Sequence, residues 1–305
     1  MAKAIFTTKV SPTYDDLPEE RYHFPRTYLP QAEQAVGDWI VYYEPRRSTG
    51  DLSSSGGRQS YFATARLDRI IPDPVRPDHF YAEVSEYLEF VRPVRFAEND
   101  HYYESALRKD DGSTNKGAFG RAVRVLPDQE YDLIWRSGFG HVIGLEPRVR
   151  PAPDVQEEPM HAGADEPMEV ERRIVEQLVS RPFRDRAFSA AVKAAYADTC
   201  AMTGIKIING GGRSEVQAAH IRPVTDKGSD SPRNGIALSG TVHWMFDRGL
   251  LSVDDDYRLL IATDRVPESA MRLFPSDRKL LLPERTDLWP HPQFLDYHRR
   301  TFFKG

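Results

Sequence analysis

The chain has 305 residues, 40% hydrophobic and 29% charged, with a formal net charge of -5. That is enough length for two ordinary domains and the composition of a soluble globular protein. It has no apolar run of the roughly 18 residues a membrane span needs, no long apolar N-terminal signal core, and one cysteine, Cys200, which excludes an internal disulfide framework and a cysteine-based zinc knuckle; a cytosolic protein is expected.

Residues 1–20 carry few apolar positions and are broken by Pro12, Asp15, Asp16 and Pro18, which predicts an extended arm. In Tyr22-His23-Phe24-Pro25-Arg26-Thr27-Tyr28-Leu29-Pro30 the two prolines exclude a helix interior. Gly37-Asp38 is a turn signal, and Trp39–Glu44 after it is aromatic and β-branched, hence a strand. Residues 48–58 are Ser- and Gly-rich and predict a flexible loop; Tyr61–Ile71 is the next strand, stopped by Pro72, Pro74 and Pro77. Phe80–Val84 and Tyr87–Val94 follow as two further strands, then a polar loop over 99–116. Ala122–Leu126 is short and alternating, and Gln129–Trp135 has helical spacing. Several short strands with long loops and little helix predict a small, mostly β barrel.

This half resembles the PUA-like superfamily, in particular its EVE and related domains. The resemblance rests on the aromatic-proline segment Tyr22–Pro25, the Gly37-Asp38 turn into Trp39-Ile40-Val41-Tyr42-Tyr43, and the following Phe62-Ala63-Thr64-Ala65-Arg66-Leu67. It implies binding of an extruded, modified base in an aromatic pocket, where stacking and edge hydrogen bonds offset the cost of unstacking. The aromatic and proline side chains available for that pocket are Phe24, Pro25, Tyr87, Phe90, Tyr131 and Trp135; the alternative for each is barrel core.

Residues 147–169 are rich in proline and acid. From 151 to 171 there are seven acidic residues and no Lys or Arg, so this segment more than accounts for the net charge and the overall charge does not exclude a nucleic-acid partner. The composition predicts a linker, solvated or competing with phosphate for basic groups. Apolar residues at 170, 174, 175, 178 and 179 predict a helix at its end. Three regions are therefore expected: a sensing domain over 1–146, a linker with helix over 147–181, and a second domain over 182–305.

The second domain opens with Phe188, Val192 and Tyr196 on one helix face, and Cys200 beyond the helix is expected as a buried small side chain. His220 follows Val216-Gln217-Ala218-Ala219 in a strand pattern; Asn234 is 14 residues on and His243 another 9, with Asp247 four residues further on one helix. Histidine is the side-chain type that exchanges protons near neutral pH, which suits His220 as general base for activating a water. Asn234 could hold the His220 ring and loop by its amide. One imidazole and one carboxylate, His243 and Asp247, can bind a divalent ion with positions left for phosphate and water. Arg222 and Arg248 could contact phosphates. Leu250–Asp254 and Tyr257–Ala262 bracket three aspartates as a hairpin, and Tyr297, His298, Phe302 and Phe303 belong to a closing helix.

The string Ala218-Ala219-His220-Ile221-Arg222-Pro223, then Asn234-Gly235-Ile236-Ala237-Leu238-Ser239, then His243-Trp244-Met245-Phe246-Asp247, together with the tail Pro290–Phe302, resembles the HNH endonuclease family. The resemblance implies a ββα-metal fold, phosphodiester cleavage, His220, Asn234 and His243 as catalytic residues, and a divalent ion, Mg²⁺ first, with Mn²⁺, Ni²⁺ or Co²⁺ as alternatives. One position departs from the family pattern: the residue before the general-base histidine, often a metal-binding Asp or Glu, is Ala219. Asp247 is the expected substitute, ahead of Glu215.

An α+β protein follows, with a PUA-like sensor, a linker and an HNH nuclease. The expected activity is cleavage of double-stranded DNA carrying a modified base, plausibly a 5-substituted cytosine. No membrane partner is expected, and a homodimer would let one site per chain cut both strands. The alternatives are an HNH nuclease whose first domain reads another feature, and a non-catalytic reader.

Overall fold

The computed structural model describes residues 2–8, 17–46, 57–99, 101–143, 176 and 178–305, with 141–143 as backbone alone. The acidic segment, most of the expected linker helix, His161 and nearly all of the 48–58 loop lie outside the described residues. The chain is α+β and divides into two compact units, Met1–Arg184 and Asp185–Gly305. No described helix is long and apolar enough to cross a membrane.

In the first unit six strands form one sheet: β1 (Lys3–Thr7), β2 (Arg21–Pro25), β3 (Trp39–Glu44), β4 (Ser60–Pro72), β5 (His79–Arg95) and, after the two-residue strands β6 (Ala97–Glu98) and β7 (His101–Tyr102), β8 (Val123–Leu126). Their order is β2-β5-β4-β3-β1-β8, with β1 parallel to β3 and the other pairs antiparallel. β4 and β5 slip register at three places, between Tyr61 and Ala63, Thr64 and Arg66, and Leu67 and Arg69. Bulges of this kind raise local twist, and the sheet curls.

Two expectations change here. Residues 3–7 are not an extended arm but a buried inner strand between β3 and β8. Lys3 is buried with them, and its ammonium is 2.8 Å from the Asp128 carboxylate. The two strands expected over 80–94 are one strand, bent where Glu86 takes a left-handed backbone (φ 52°). Neither proline falls in a helix interior: Pro25 ends β2, and Pro30 sits in the first turn of helix Leu29–Gln34, where its missing N–H costs nothing.

The helix expected from Gln129 extends over Asp128–Ile143. It buries Tyr131, Ile134, Trp135 and Phe139, and the Tyr131 hydroxyl meets Thr64 Oγ1 at 3.0 Å. Beneath the sheet a second polar core holds together. Arg124 makes a two-pronged pair with Glu104 at 2.7 Å on each prong, and the Tyr61 hydroxyl donates to the same carboxylate at 2.7 Å. Pairing of this kind is what makes buried charge tolerable.

The second unit begins within helix Arg181–Ala195, whose inward face presents Phe188 and Val192, with Tyr196 just beyond. Cys200 is buried as expected. β9 (Gln217–His220) and β10 (Gly235–Leu238) pair antiparallel with His220 opposite Gly235, and helix Gly240–Asp247 follows at once. β11 (Leu251–Val253) and β12 (Leu259–Ile261) form the expected hairpin. Helix Pro292–Thr301 closes the unit. All of these pack on one apolar core that includes Phe188, Val192, Ile221, Ile236, Val242, Phe246 and Phe294.

Candidate active site

Period-two alternation along β9 decides the site. Ala219 points into the core and is fully buried, while His220 on the opposite face is partly exposed. The methyl of Ala219 therefore lies in the core and offers no ligand atom to the cleft.

His220 is fixed from two sides. Its ring stacks on Phe188 with centroids 3.7 Å apart and planes at 10°. Its Nε2 lies 3.0 Å from Oδ1 of Asp230, a carboxylate only 3% exposed. With the Nε2 hydrogen donated to Asp230, the lone pair is on Nδ1, the tautomer a general base needs. Asp230 was not singled out in the sequence. It lies in a Ser-Asp-Ser-Pro stretch with no motif, and only the folded loop carries it to the histidine.

Gly235, across the ladder from His220, permits this packing: a Cβ there would come within 2.4 Å of Val192 Cγ2 and 3.0 Å of Phe188. Any side chain at 235 would therefore collide with Phe188, which backs His220, and with Val192.

Asn234 is fully buried and staples the loop that carries Asp230. Its Oδ1 accepts from Arg222 N–H at 2.9 Å, and its Nδ2 donates to the carbonyls of Arg222 and Ser229, both at 2.9 Å. Its amide reaches loop backbone, and the ring of His220 is held instead by Asp230 and Phe188.

Helix Gly240–Asp247 buries Val242, Met245 and Phe246, which turns His243 and Asp247 outward together. His243 Nε2 is 3.5 Å from Asp247 Oδ2, and His243 Nδ1 is 2.7 Å from Oε1 of Gln217 on β9. An Nδ1–H donated to Gln217 leaves the Nε2 lone pair beside the Asp247 carboxylate, the arrangement of an outer hydrogen bond orienting a metal-binding imidazole. Gln217 is the second residue the sequence did not single out. Glu215, the lesser ligand expectation, accepts instead from Gly240 N–H at 2.8 Å, at the start of that helix.

A cleft of about 360 Å³ brings His220, His243 and Asp247 together with Ala218, Pro223, Val224, His298 and Phe302. His298 is a packing residue within it. It stacks on Phe246 at 3.9 Å, meets Ser252 Oγ at 3.0 Å through Nδ1 and faces the Phe246 carbonyl at 3.3 Å through Nε2. Burial pulls its pKa down to about 4, so it is neutral at pH 7.

The two arginines differ. Arg222 closes its own loop, with Nε donating to the Asp226 carbonyl at 2.7 Å and the guanidinium over the Tyr297 ring at 4.7 Å. Arg248 is exposed, 5.9 Å from the ring of Trp244, which is also exposed.

In the first unit five of the six expected base-pocket residues are buried. Phe24 and Tyr87 belong to the core cluster under the sheet. Phe90 packs edge-on against Phe139 at 5.1 Å, and Trp135 against Phe139 and Phe183 at 5.6 and 5.8 Å. Tyr131 is fully buried against Thr64. Pro25, at the end of β2, is partly exposed.

Among the described residues no group of three or more His, Cys, Asp or Glu could hold a metal ion. Residues 200–254 match the family described as HNH endonuclease. No curated protein matches the chain. Among solved structures it aligns with a "Modification dependent TagI restriction endonuclease" at 15% identity and a TM-score of 0.30, over 98% of this chain and 81% of that one. It also aligns with the "N-terminal domain of Staphylothermus marinus McrB" at 13% identity and a TM-score of 0.29, over 43% of this chain and 92% of that one. The segment 200–254 is an HNH endonuclease domain.

Proposed function

We propose that this chain is a metal-dependent DNA endonuclease in which His220 is the general base, and in which residues 1–146 select double-stranded DNA carrying a modified base, a 5-substituted cytosine first among the candidates. The observation that carries the nuclease reading is the convergence of His220, braced by Asp230, with His243 and Asp247 in one open cleft. Phosphodiester hydrolysis needs a base beside the attacking water and positive charge at the phosphate. His220 Nδ1 would take the proton of that water, and Asp230 would hold the ring in the accepting tautomer and stabilise it once protonated.

The donor set at His243 Nε2 and Asp247 suits a divalent ion held by few protein groups, with phosphate and water oxygens completing the shell. When bound, such an ion would stabilise charge on the phosphate and the leaving oxygen. With two protein ligands and a buried methyl at Ala219, ion affinity should depend on the substrate. Exposed Arg248 is the better placed of the two arginines to meet a phosphate.

The selective role of residues 1–146 rests on the PUA-like resemblance of Tyr22–Pro25 and the strands after Gly37-Asp38, and on the curled sheet they build. Reading by base extrusion belongs to that same proposal. The test is digestion of matched DNA with and without 5-methyl- and 5-hydroxymethylcytosine. Preferential cutting of modified DNA supports the proposal; equal cutting removes the modified-base reading and leaves a nuclease whose first unit reads something else.

A further inference from the structure

A second cleft, about 370 Å³, opens beside the first within the same unit, lined by Lys193, Ile207, Asn209, Arg213, Glu215 and Gln217 among others. We propose that it seats the sugar-phosphate backbone of the substrate strand next to the phosphate being cut. This rests on the nuclease reading above.

Four observations carry it. First, the charge is available. Among the described residues the side chains of Lys193 and Arg213 have neither an ion pair nor a hydrogen-bond partner, whereas the cleft's carboxylate, Glu215, already accepts from Gly240 N–H. Second, the loop at its edge exposes three isoleucines, Ile205 at 37%, Ile207 at 55% and Ile208 at 46%. Lys206 is interleaved with them and Gly210-Gly211-Gly212 follows. Exposed aliphatic groups alternating with cations match a nucleic-acid backbone, whose sugars are apolar and whose phosphates are anionic.

Third, the loop's shape is fixed. Asn209 Oδ1 accepts from the N–H groups of Gly211 and Arg213 at 3.0 and 2.9 Å, and Asn209 and Arg213 also pair through backbone. Fourth, consecutive residues at and just before β9 line the two clefts. Glu215, Val216 and Gln217 line one, and Ala218 and His220 line the other. Gln217 also touches His243 through its amide oxygen. Gln217 and His220 are three steps apart along the strand, roughly 10 Å at about 3.3 Å per residue, so a DNA strand whose phosphate sits at His220 would run on past Lys193 and Arg213.

The experiment measures binding and cutting of a 30-base-pair duplex containing 5-hydroxymethylcytosine by the full chain, with Lys193→Ala/Arg213→Ala compared with wild type. Binding is followed across salt concentration in a His220→Ala background. Losing two phosphate contacts should lower the slope of log affinity against log salt by about 2 and raise KM several-fold. A Lys193→Arg/Arg213→Lys variant should keep the wild-type slope, which a folding defect would not allow. An unchanged slope and KM in the alanine variant would overturn the proposal even if the wild type cuts. A lowered slope in a chain that never cuts would keep the strand-binding cleft and remove the nuclease reading.

Discussion

Three of the residues picked out in the second unit meet in one cleft, while the aromatics picked out in the sheet unit are buried. His220, His243 and Asp247 come from a strand and a helix and line one cleft. Phe24, Tyr87, Phe90, Tyr131 and Trp135 come from strands and a helix too, yet all are buried in apolar packing. The lesson is about residue type. An aromatic side chain is ordinary core material and gains free energy wherever it is buried. A histidine or carboxylate is costly to bury and stays near water unless paired, so spaced polar residues flanked by apolar strand and helix patterns are a sharper signal of a site than spaced aromatics.

The largest expected effect tests the core side of that contrast. Trp135→Ala should cost about 3–5 kcal/mol of stability and lower the unfolding midpoint of the sheet unit. If Trp135→Ala leaves stability intact and removes only preference for modified DNA, Trp135 is a pocket wall and the contrast fails. Next comes the carboxylate that the sequence did not reveal. Asp230→Asn should lower kcat about 100-fold with KM little changed, because the ring loses its tautomer and its partner once protonated. Equal kcat for Asp230→Asn and wild type would reduce Asp230 to a loop contact.

A third prediction concerns acid stability. Burial lowers the pKa of His298 from 6.5 to about 4, and His291 is lowered likewise to about 4, by burial and then by Arg233. Both shifts have the same sign: the unfolded chain takes up the proton first as pH falls. Stability present at pH 7 should be lost between about pH 6.5 and 4 and level off below, by about 3 kcal/mol for His298. His298→Gln should flatten that part of the profile in denaturant titrations of the full chain. A profile as steep as wild type would place the proton uptake elsewhere. The smallest effect is Asp247→Ala, which should raise the Mg²⁺ concentration for half-maximal cutting about 10-fold; an unchanged requirement would remove Asp247 from the ion's shell.

Much of the second unit was legible because its signals are local. The Phe188, Val192, Tyr196 face, the β11–β12 hairpin and the His-x-x-x-Asp helix spacing all act over a few residues. Asp230 and Gln217 were not, because their roles depend on a loop and a strand closing onto partners 10 and 26 residues away. In the first unit β3, β4 and β8 fell where their β-branched and aromatic runs placed them. β1 did not, since Lys3-Ala4-Ile5-Phe6-Thr7 shows no alternation and becomes a strand only by pairing with Ile40–Tyr43 and Val123–Leu126. The two-strand reading of 80–94 failed at Ser85-Glu86, where a left-handed residue bends one strand without ending it.

The most direct measurement is cutting and binding side by side, for the wild-type chain and His220→Ala, on 5-hydroxymethylcytosine DNA with Mg²⁺. The account predicts that wild type cuts, that His220→Ala cuts about 1,000-fold more slowly, and that both bind with the same affinity. A His220→Ala chain that cuts as fast as wild type would contradict it.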